Sequence, residues 1–305
     1  MFTAKQISKE NSFLNHIHIF NGSMSCKIFP NIGASIQQLS FNNIDIIDGI
    51  DISEFGLKSY KETYKSAILF PFVGRIPKGE YTYNNNSYKL KTNEDYRSNA
   101  LHGLVYNKSF SIDICETSSL EAKIQLSYIS DGALKGFPFK FKFQVTYLIS
   151  NKGLKVNFDI TNLDISSFPF GCGWHPYFKT DYLNKCSLSF LSKEKLVTNK
   201  DLVPIGFTLN KEPSTFTINN KSFDDTFILL KNEIKYQTNG YTLKIKFTEK
   251  QNNFLQLYTP KHRKSIAIEP ISGAPNAFNS QDGLMELKPN ENYSWNIDLK
   301  LKTRA

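Results

Sequence analysis

The chain has 305 residues, 40% of them hydrophobic, and a formal net charge of +9. This hydrophobic fraction excludes a disordered or fibrous protein and is sufficient for a large buried core. The first ten residues lack the apolar segment of a secretory signal, and no apolar run is long enough to span a bilayer. We therefore expect a cytoplasmic protein with no membrane partner.

Hydrophobic residues alternate with polar ones in many short stretches, a pattern that predicts β-strands with one wet and one buried face. In chain order these stretches cover residues 17–20, 25–29, 35–41, 81–90, 110–115, 121–129, 139–149, 153–162, 187–190, 214–218, 226–230, 241–248, 254–259, 265–269 and 293–301. Helical periodicity is nearly absent, and we predict only short helical turns near residues 58–68. Because no linker divides the chain, the sequence predicts an all-β fold, a large antiparallel β-sandwich forming one domain over residues 1–305.

The excess of positive charge raises the question of nucleic-acid binding. Most lysines, however, alternate with apolar residues, as in residues 139–143 and 241–247, and this spacing places them on the wet faces of strands. The densest basic cluster, residues 261–264, follows a Thr-Pro pair and is typical of an exposed turn. We therefore expect no nucleic-acid partner.

The four cysteines are far apart and form no C-x-x-C pair, which argues against a zinc site and against a disulfide framework. They are Cys26, Cys115, Cys172 and Cys186. His16 and His18 share one face of a predicted strand and are weaker candidates for metal binding, but the sequence supplies no third ligand. We expect free thiols and no metal.

A histidine lies in an aromatic run, residues 173–178, that follows a tightly turned aromatic segment, residues 168–173. Pro176 constrains the backbone just after His175 and excludes a helix through it. A histidine among aromatic side chains is usually a core residue, but an aromatic wall is also what a sugar ring needs for stacking. Both interpretations of His175 stay open on the residues alone.

Glu269 follows an apolar run, residues 266–268, and precedes Pro270. A carboxylate in such a place must be neutral, paired or functional, and burial would raise its pKa toward that of a useful base. A salt bridge is the competing interpretation, with Arg75 as the candidate partner. The guanidinium of Arg75 is equally suited to hold a sugar hydroxyl, because it offers a fork of donors.

Asp224 and Asp225 form an acidic pair among apolar residues. Two carboxylates flanking a glycosidic bond are the machinery of glycoside hydrolysis, but neighbours on a strand point to opposite faces, so this pair cannot supply it alone. One of the two is expected to accept hydrogen bonds from sugar hydroxyls, unless the pair only forms a loop turn.

Taken together, the motifs resemble those of the aldose 1-epimerases (mutarotases), over nearly the whole chain and in the family's order. The matching segments are Gly74-Arg75-Ile76, then Gly79, Tyr83, Tyr88 and Leu90, then Leu101-His102-Gly103, His175-Pro176-Tyr177-Phe178, Asp224-Asp225-Thr226-Phe227, and Glu269 with Pro275-Asn276-Ala277-Phe278-Asn279. The resemblance implies a large antiparallel β-sandwich that carries a small-molecule sugar on its concave face.

The resemblance also implies roles for individual residues. Glu269 matches the general base and His175 the general acid of an anomer interconversion. By the resemblance, Arg75, His102 and Asp224 bind the sugar. We expect Trp174 and Tyr177, from the aromatic run around His175, to bind it as well. Because only two proton transfers are needed, we expect neither a metal nor another cofactor.

Two departures bear on the substrate: Trp174 stands where galactose enzymes of the family carry Asn, and Pro176 replaces a small hydroxyl residue. The chain thus resembles a divergent branch of the family. A hexose 6-phosphate stays open as substrate, with Arg97 and Arg263 as additional cationic candidates. A non-catalytic sugar-binding module and a glycosidase also stay open as functions, and we expect a monomer or homodimer.

Overall fold

The computed structural model describes residues 1–248 and 253–304. Short antiparallel strands dominate it, in agreement with the sequence pattern. In chain order they are β1 Thr3–Ile7, β2 His16–Phe20, β3 Met24–Phe29, β4 Ser35–Phe41, β5 Ile44–Asp45, β6 Ala67–Leu69, β7 Arg75–Ile76, β8 Glu80–Tyr83, β9 Asn86–Lys89, β10 Ala100–Leu101, β11 Ser111–Thr117, β12 Glu121–Asp131, β13 Lys140–Ser150, β14 Gly153–Asn162, β15 Phe168–Phe170, β16 Gly173–His175, β17 Tyr177–Lys179, β18 Ser187–Ser189, β19 Ser192–Thr198, β20 Pro204–Leu209, β21 Thr215–Thr217, β22 Asp224–Leu229, β23 Glu233–Gln237, β24 Tyr241–Phe247, β25 Phe254–Tyr258, β26 Ser265–Ile271, β27 Met285–Leu287 and β28 Asn292–Thr303.

Two large sheets form the body of the fold. Nine strands pair in the order β11-β12-β13-β14-β28-β24-β23-β18-β21. The second sheet runs β20-β19-β22-β25-β26-β16-β6, and β17 also pairs with β26. Aromatic side chains bridge the two sheets: the Phe178 ring of β17 lies 6.5 Å from the Tyr236 ring of β23. The predicted all-β antiparallel fold is confirmed.

Strand β13 shows why the sequence folds this way. Along it, Phe141, Phe143, Val145, Tyr147 and Ile149 are fully buried, while the residues between them are mostly wetter. This buried row faces the hydrophobic core. Because successive side chains of a strand point to opposite faces, an alternating sequence buries its apolar residues and leaves the polar ones in solvent. The hydroxyl of Tyr147 donates to a backbone carbonyl at 2.7 Å beside β4, which ties the nine-stranded sheet to the five-stranded sheet β1–β5.

Helix α1, Glu54–Thr63, begins earlier than the predicted turns near 58–68. Ser53 caps it by accepting a hydrogen bond from the backbone of Gly56, and Tyr64 ends it in the left-handed conformation. The predicted helical stretch therefore fails at its C-terminal end, where residues 67–69 form strand β6 against β16. A second short helix, α2, spans Ala277–Ser280.

Every predicted strand overlaps an observed one, although residues 81–90 form a hairpin of two strands. Asn84 and Asn85 both have positive φ there, as the tight turn of a hairpin requires. Within residues 1–248 and 253–304, no helix has the length and hydropathy needed to cross a membrane.

Candidate active site

A cavity of about 500 Å³ opens on the eight-stranded sheet, within the size range of small-molecule sites. Much of its lining is polar or aromatic. The lining side chains of this kind include Tyr64, Arg75, His102, His175, Tyr177, Asp224, Thr226, Gln256, Tyr258 and Glu269.

Three neighbouring strands supply one row of these side chains. In the register of β22, β25 and β26, Asp224 pairs with Tyr258, Thr226 with Gln256, and Gln256 with Glu269. Paired residues of adjacent strands project on the same side of a sheet, so the row forms one polar strip across the cavity floor. Hydrogen bonds run along it: Thr226 donates to Gln256, whose amide donates to Asp224 at 3.0 Å.

Strands β16 and β17 bring His175 to the same floor. Gly173 lets β16 approach β26 closely, because a Cβ at this position would lie 2.6 Å from a methyl group of Ile271. Pro176 interrupts the two strands, and beyond it the Tyr177 ring stacks on His175 with 5.1 Å between centroids. The Tyr177 hydroxyl donates to the carbonyl of Thr63 at 3.1 Å, which fixes the ring.

His175 and Glu269 form a buried pair, with 3.4 Å between Nε2 and Oε1. Burial lowers the pKa of His175 to about 3. Burial also raises the pKa of Glu269 well above its usual range, and the neighbouring charge of Asp224 adds to that, while Arg75 opposes it. Each group thus favours its neutral form, so the pair holds one proton near neutral pH.

Arg75 is held by Glu94, a residue in which the sequence alone shows no functional signal. The Nε of Arg75 lies 3.1 Å from both carboxylate oxygens of Glu94, and its Nη2 lies 3.0 Å from one of them. Burial raises the pKa of Glu94, but hydrogen bonds from Arg75 and Asn99 outweigh it, and the net shift is downward. The predicted possibility of an Arg75 salt bridge to Glu269 is wrong, since Glu94 is the partner.

The ring of His102 meets that of His175 edge-on, with 4.9 Å between the two ring centroids. Its backbone adopts the left-handed region with φ of 63°, and the Tyr64 ring lies 4.8 Å away. Asn93 donates to the Tyr64 hydroxyl at 2.9 Å and so connects the rings of Tyr64 and His102 to the loop that carries Glu94. Burial holds the pKa of His102 well below 6.5, so its ring is neutral.

The structure separates the acidic pair. Asp224 lines the cavity with its side chain open to solvent, and partial desolvation by the surrounding protein raises the pKa of its carboxyl. Asp225 points away and accepts from Lys195 at 2.7 Å. Alternation along β22 thus assigns Asp224, and not its neighbour, to the cavity.

Trp174 requires a correction. Its side chain is fully buried, and the indole N–H donates to the hydroxyl of Ser66 at 3.1 Å. As the strand neighbour of His175 it points into the core, outside the cavity lining, so it supports the site without facing a ligand.

Three further candidates lie elsewhere. Arg97 donates to Glu94 at 3.0 Å, and Arg263 donates to backbone carbonyls, at 2.8 Å in the case of Lys221. Neither arginine lines the cavity. His16 lies at a separate surface depression, its Nδ1 2.9 Å from the carbonyl of Leu14. Within the part of the chain that the structure describes, no group of three His, Cys, Asp or Glu side chains is placed to hold a metal.

Solved structures of other proteins share this fold. The galactose mutarotase-like protein of Clostridium acetobutylicum has a TM-score of 0.87 at 18% identity, over 100% of this chain and 99% of that one. Galactose 1-epimerase of Lactobacillus acidophilus gives 0.80 at 16% identity, over 100% and 99%.

Sequence relatives point the same way. YihR of Escherichia coli K12, an uncharacterized protein, is 26% identical over 84% of each chain. Galactose mutarotase of Bos taurus is 31% identical over 37% of this chain and 32% of its own length. The aldose 1-epimerase family model matches residues 15–300. The chain therefore belongs to the aldose 1-epimerase family.

Proposed function

We propose that this protein is an aldose 1-epimerase that interconverts the α and β anomers of a free aldose. The observation that carries the proposal is the buried His175–Glu269 pair, with 3.4 Å between Nε2 and Oε1, at the floor of a sugar-sized cavity. An acid and a base that close together can act on the ring oxygen and the anomeric hydroxyl of one sugar.

In the proposed mechanism Glu269 removes the proton of the anomeric hydroxyl while His175 donates a proton to the ring oxygen. The bond between the anomeric carbon and the ring oxygen breaks, and the anomeric carbon becomes an aldehyde. Rotation about the adjacent carbon–carbon bond presents the other carbonyl face. Reversal of both proton transfers closes the ring as the opposite anomer.

This mechanism requires the single proton of the pair to lie on His175 and the charge on Glu269. Burial disfavours that ion pair, whereas the positive charge of Arg75 favours the Glu269 carboxylate. A sugar that fills the cavity displaces water and offers its hydroxyl groups as fixed hydrogen-bond donors and acceptors to the pair. The net charge of His175 and Glu269 together is zero before and after the two proton transfers. After ring opening the proton of the pair lies on Glu269, and ring closure returns it to His175, so the pair is restored after the complete reaction.

The remaining polar residues of the cavity hold the sugar. The Arg75 guanidinium, oriented by Glu94, donates to hydroxyl groups, and Asp224 accepts from them. The neutral ring of His102 lies beside His175, near the expected position of the ring oxygen. The Tyr177 ring closes the wall behind the catalytic pair.

The test is anomer exchange measured by NMR on free hexoses and pentoses, with galactose as the first sugar because named relatives act as galactose mutarotases. Glu269→Gln and His175→Asn should each lower the enzyme-dependent rate by about 10²–10⁴-fold with normal folding. Glu233→Gln, at the exposed first residue of β23, is the matched control and should retain full activity. Wild-type rates in both cavity variants would refute the assignment.

The competing functions give different results in the same assay. A hexose-6-phosphate epimerase would prefer the phosphorylated sugar. Arg97 and Arg263 lie outside the cavity lining, and the cations that do line it are accompanied by carboxylates, which favours a free sugar; the cations are Lys61, Lys65 and Arg75, and the carboxylates include Glu62, Glu94 and Asp95. A non-catalytic module would bind without exchange, and a glycosidase would release new reducing ends. A cytoplasmic location and a monomeric or homodimeric state stay predictions.

A further inference from the structure

A tight turn leads from α1 into β6, the strand that pairs with β16 and so with His175. The N–H of Ala67 donates to the carbonyl of Tyr64 at 2.9 Å, which makes Ser66 the third residue of the turn. Its φ of 59° lies in the left-handed region, and a third turn residue with positive φ is usually Gly or Asn. The side chain of Ser66 is fully buried. The chain therefore carries a serine where glycine would suit the backbone better.

Ser66 makes two hydrogen bonds to β16. Its backbone N–H donates to the carbonyl of His175 at 2.8 Å, and its hydroxyl accepts from the indole N–H of Trp174 at 3.1 Å. The first bond holds the backbone of the proposed general acid, and the second holds the side chain of the residue before it. Glycine at position 66 would keep the first bond and lose the second. The bond to Trp174 is therefore what the side chain of Ser66 adds.

The ring of His175 depends on its backbone for its position. A catalytic histidine is commonly oriented by a partner on the nitrogen that does not react. Nε2 of His175 faces Glu269, but Nδ1 is buried and has no hydrogen-bond partner on any other residue within 1–248 and 253–304. Ring contacts with Tyr177 and His102 and the position of β16 thus hold the imidazole. A displacement of β16 would change the distance from Nε2 to the carboxylate.

We propose that Ser66 is a positioning residue for the acid–base pair. Its hydroxyl holds Trp174, a large and fully buried side chain of β16, and so fixes the strand where His175 meets Glu269. Because Ser66 does not line the cavity, it acts through its neighbours and not on the sugar. This inference rests on the proposed epimerase function.

The test is Ser66→Gly, which suits the left-handed backbone, keeps the N–H bond to His175 and removes the hydroxyl. In anomer exchange kcat should fall about tenfold and KM should stay within about twofold, because a shift of less than about 1 Å in the imidazole slows proton transfer and leaves the sugar contacts in place. Ser130→Ala is the matched control and should keep the wild-type kcat. Ser130 is also a buried serine, its hydroxyl donates to the carbonyl of Phe139 at 3.3 Å, and it lies outside the cavity lining.

A double-mutant cycle assigns the effect to the bond with Trp174. Trp174→Phe keeps an aromatic ring in the core and removes the indole N–H, so it should also lower kcat. Ser66→Gly added to this variant should lower kcat by much less than it does in the wild type, since both changes remove the same hydrogen bond. Losses that simply multiply would show that the two residues act separately and would overturn the proposal.

The ring of His175 can also be observed without a sugar. In protein labelled with ¹⁵N-histidine, its ring signals are assigned with His175→Asn, and they should move in Ser66→Gly but not in Ser130→Ala. Wild-type kcat in Ser66→Gly, an equal loss in Ser130→Ala, or unmoved His175 signals would each refute the positioning role. If no sugar shows enzyme-dependent exchange, the epimerase function fails, and the His175 signals still decide whether Ser66 positions the ring.

Discussion

Replacement of Glu94 by Ala should disable the site without touching a reacting group. Glu94 is nearly buried, and its carboxylate accepts from Arg75, from Arg97 at 3.0 Å and from Asn99 at 2.8 Å. The variant leaves two guanidinium groups without their common anion, and Arg75 no longer has a fixed direction.

The magnitude follows from the burial of the pair. Side-chain exposure is 6% for Glu94 and 19% for Arg75, so water cannot fully replace the lost carboxylate. Loss of one partner from a buried ion pair costs about 3–5 kcal/mol of unfolding free energy, against at most about 1 kcal/mol for an exposed pair. Displacement of the Arg75 donor by about 1 Å should lower kcat/KM by about 100-fold.

Urea unfolding and anomer-exchange kinetics measure the two effects. The double variant Glu94→Ala with Arg75→Ala should be less destabilised than the sum of the two single variants, by about 0.5–3 kcal/mol, because Arg97 is then the one guanidinium of the two that is left without its anion. Lys89→Ala, which removes the exposed ion pair with Glu80, is the control. A loss below about 1 kcal/mol in Glu94→Ala, or strict additivity in the double variant, would refute the reasoning.

Two further predictions concern Asp224 and His102. Asp224→Asn should lower kcat/KM by about 10- to 100-fold through loss of a charged acceptor, while Asp225→Asn, which breaks only the surface pair with Lys195, should stay within about twofold of wild type; equal losses in the two variants would contradict the register of β22. Burial lowers the pKa of His102 in the folded state. Below about pH 6.5 the unfolded chain therefore binds a proton at this residue that the folded chain does not, and the free energy of unfolding falls as the pH falls. Urea unfolding between pH 7 and pH 5 should therefore show a shallower fall for His102→Asn, by up to about 1.4 kcal/mol per pH unit, and parallel curves for wild type and variant would exclude this burial effect.

Alternation in the sequence predicted the strands that have one wet face. In β13 and β14 the buried and solvated residues alternate, so the alternation of apolar and polar residues in the sequence was enough to predict both strands. Strands β6, β15 and β16 are three residues long and buried on both faces, so they have no alternation to detect. Their pairing depends on contacts distant in sequence, as between Ala67 and His175.

The same limit explains what the sequence could say about the site. The cavity contains His175 and Glu269, both of which stood out as polar groups in apolar or aromatic runs. Glu94 lies in a polar segment that is typical of an exposed loop, and only its distant partner Arg75 makes it a buried carboxylate. For Trp174, strand alternation in the sequence would have indicated a core position, since the neighbour of a cavity residue in a strand faces the other side of the sheet.

The polar strip on β22, β25 and β26 has a consequence for how such a protein acquires new substrates. Backbone pairing sets the spacing between Asp224, Gln256 and Glu269, so the chemistry is encoded in the least changeable part of the fold. Loops supply much of the rest of the cavity lining, and loops tolerate insertion and exchange. Under the proposed function, a designer could therefore randomise these loops to alter which sugars enter while the strands keep the proposed proton-transfer groups in place.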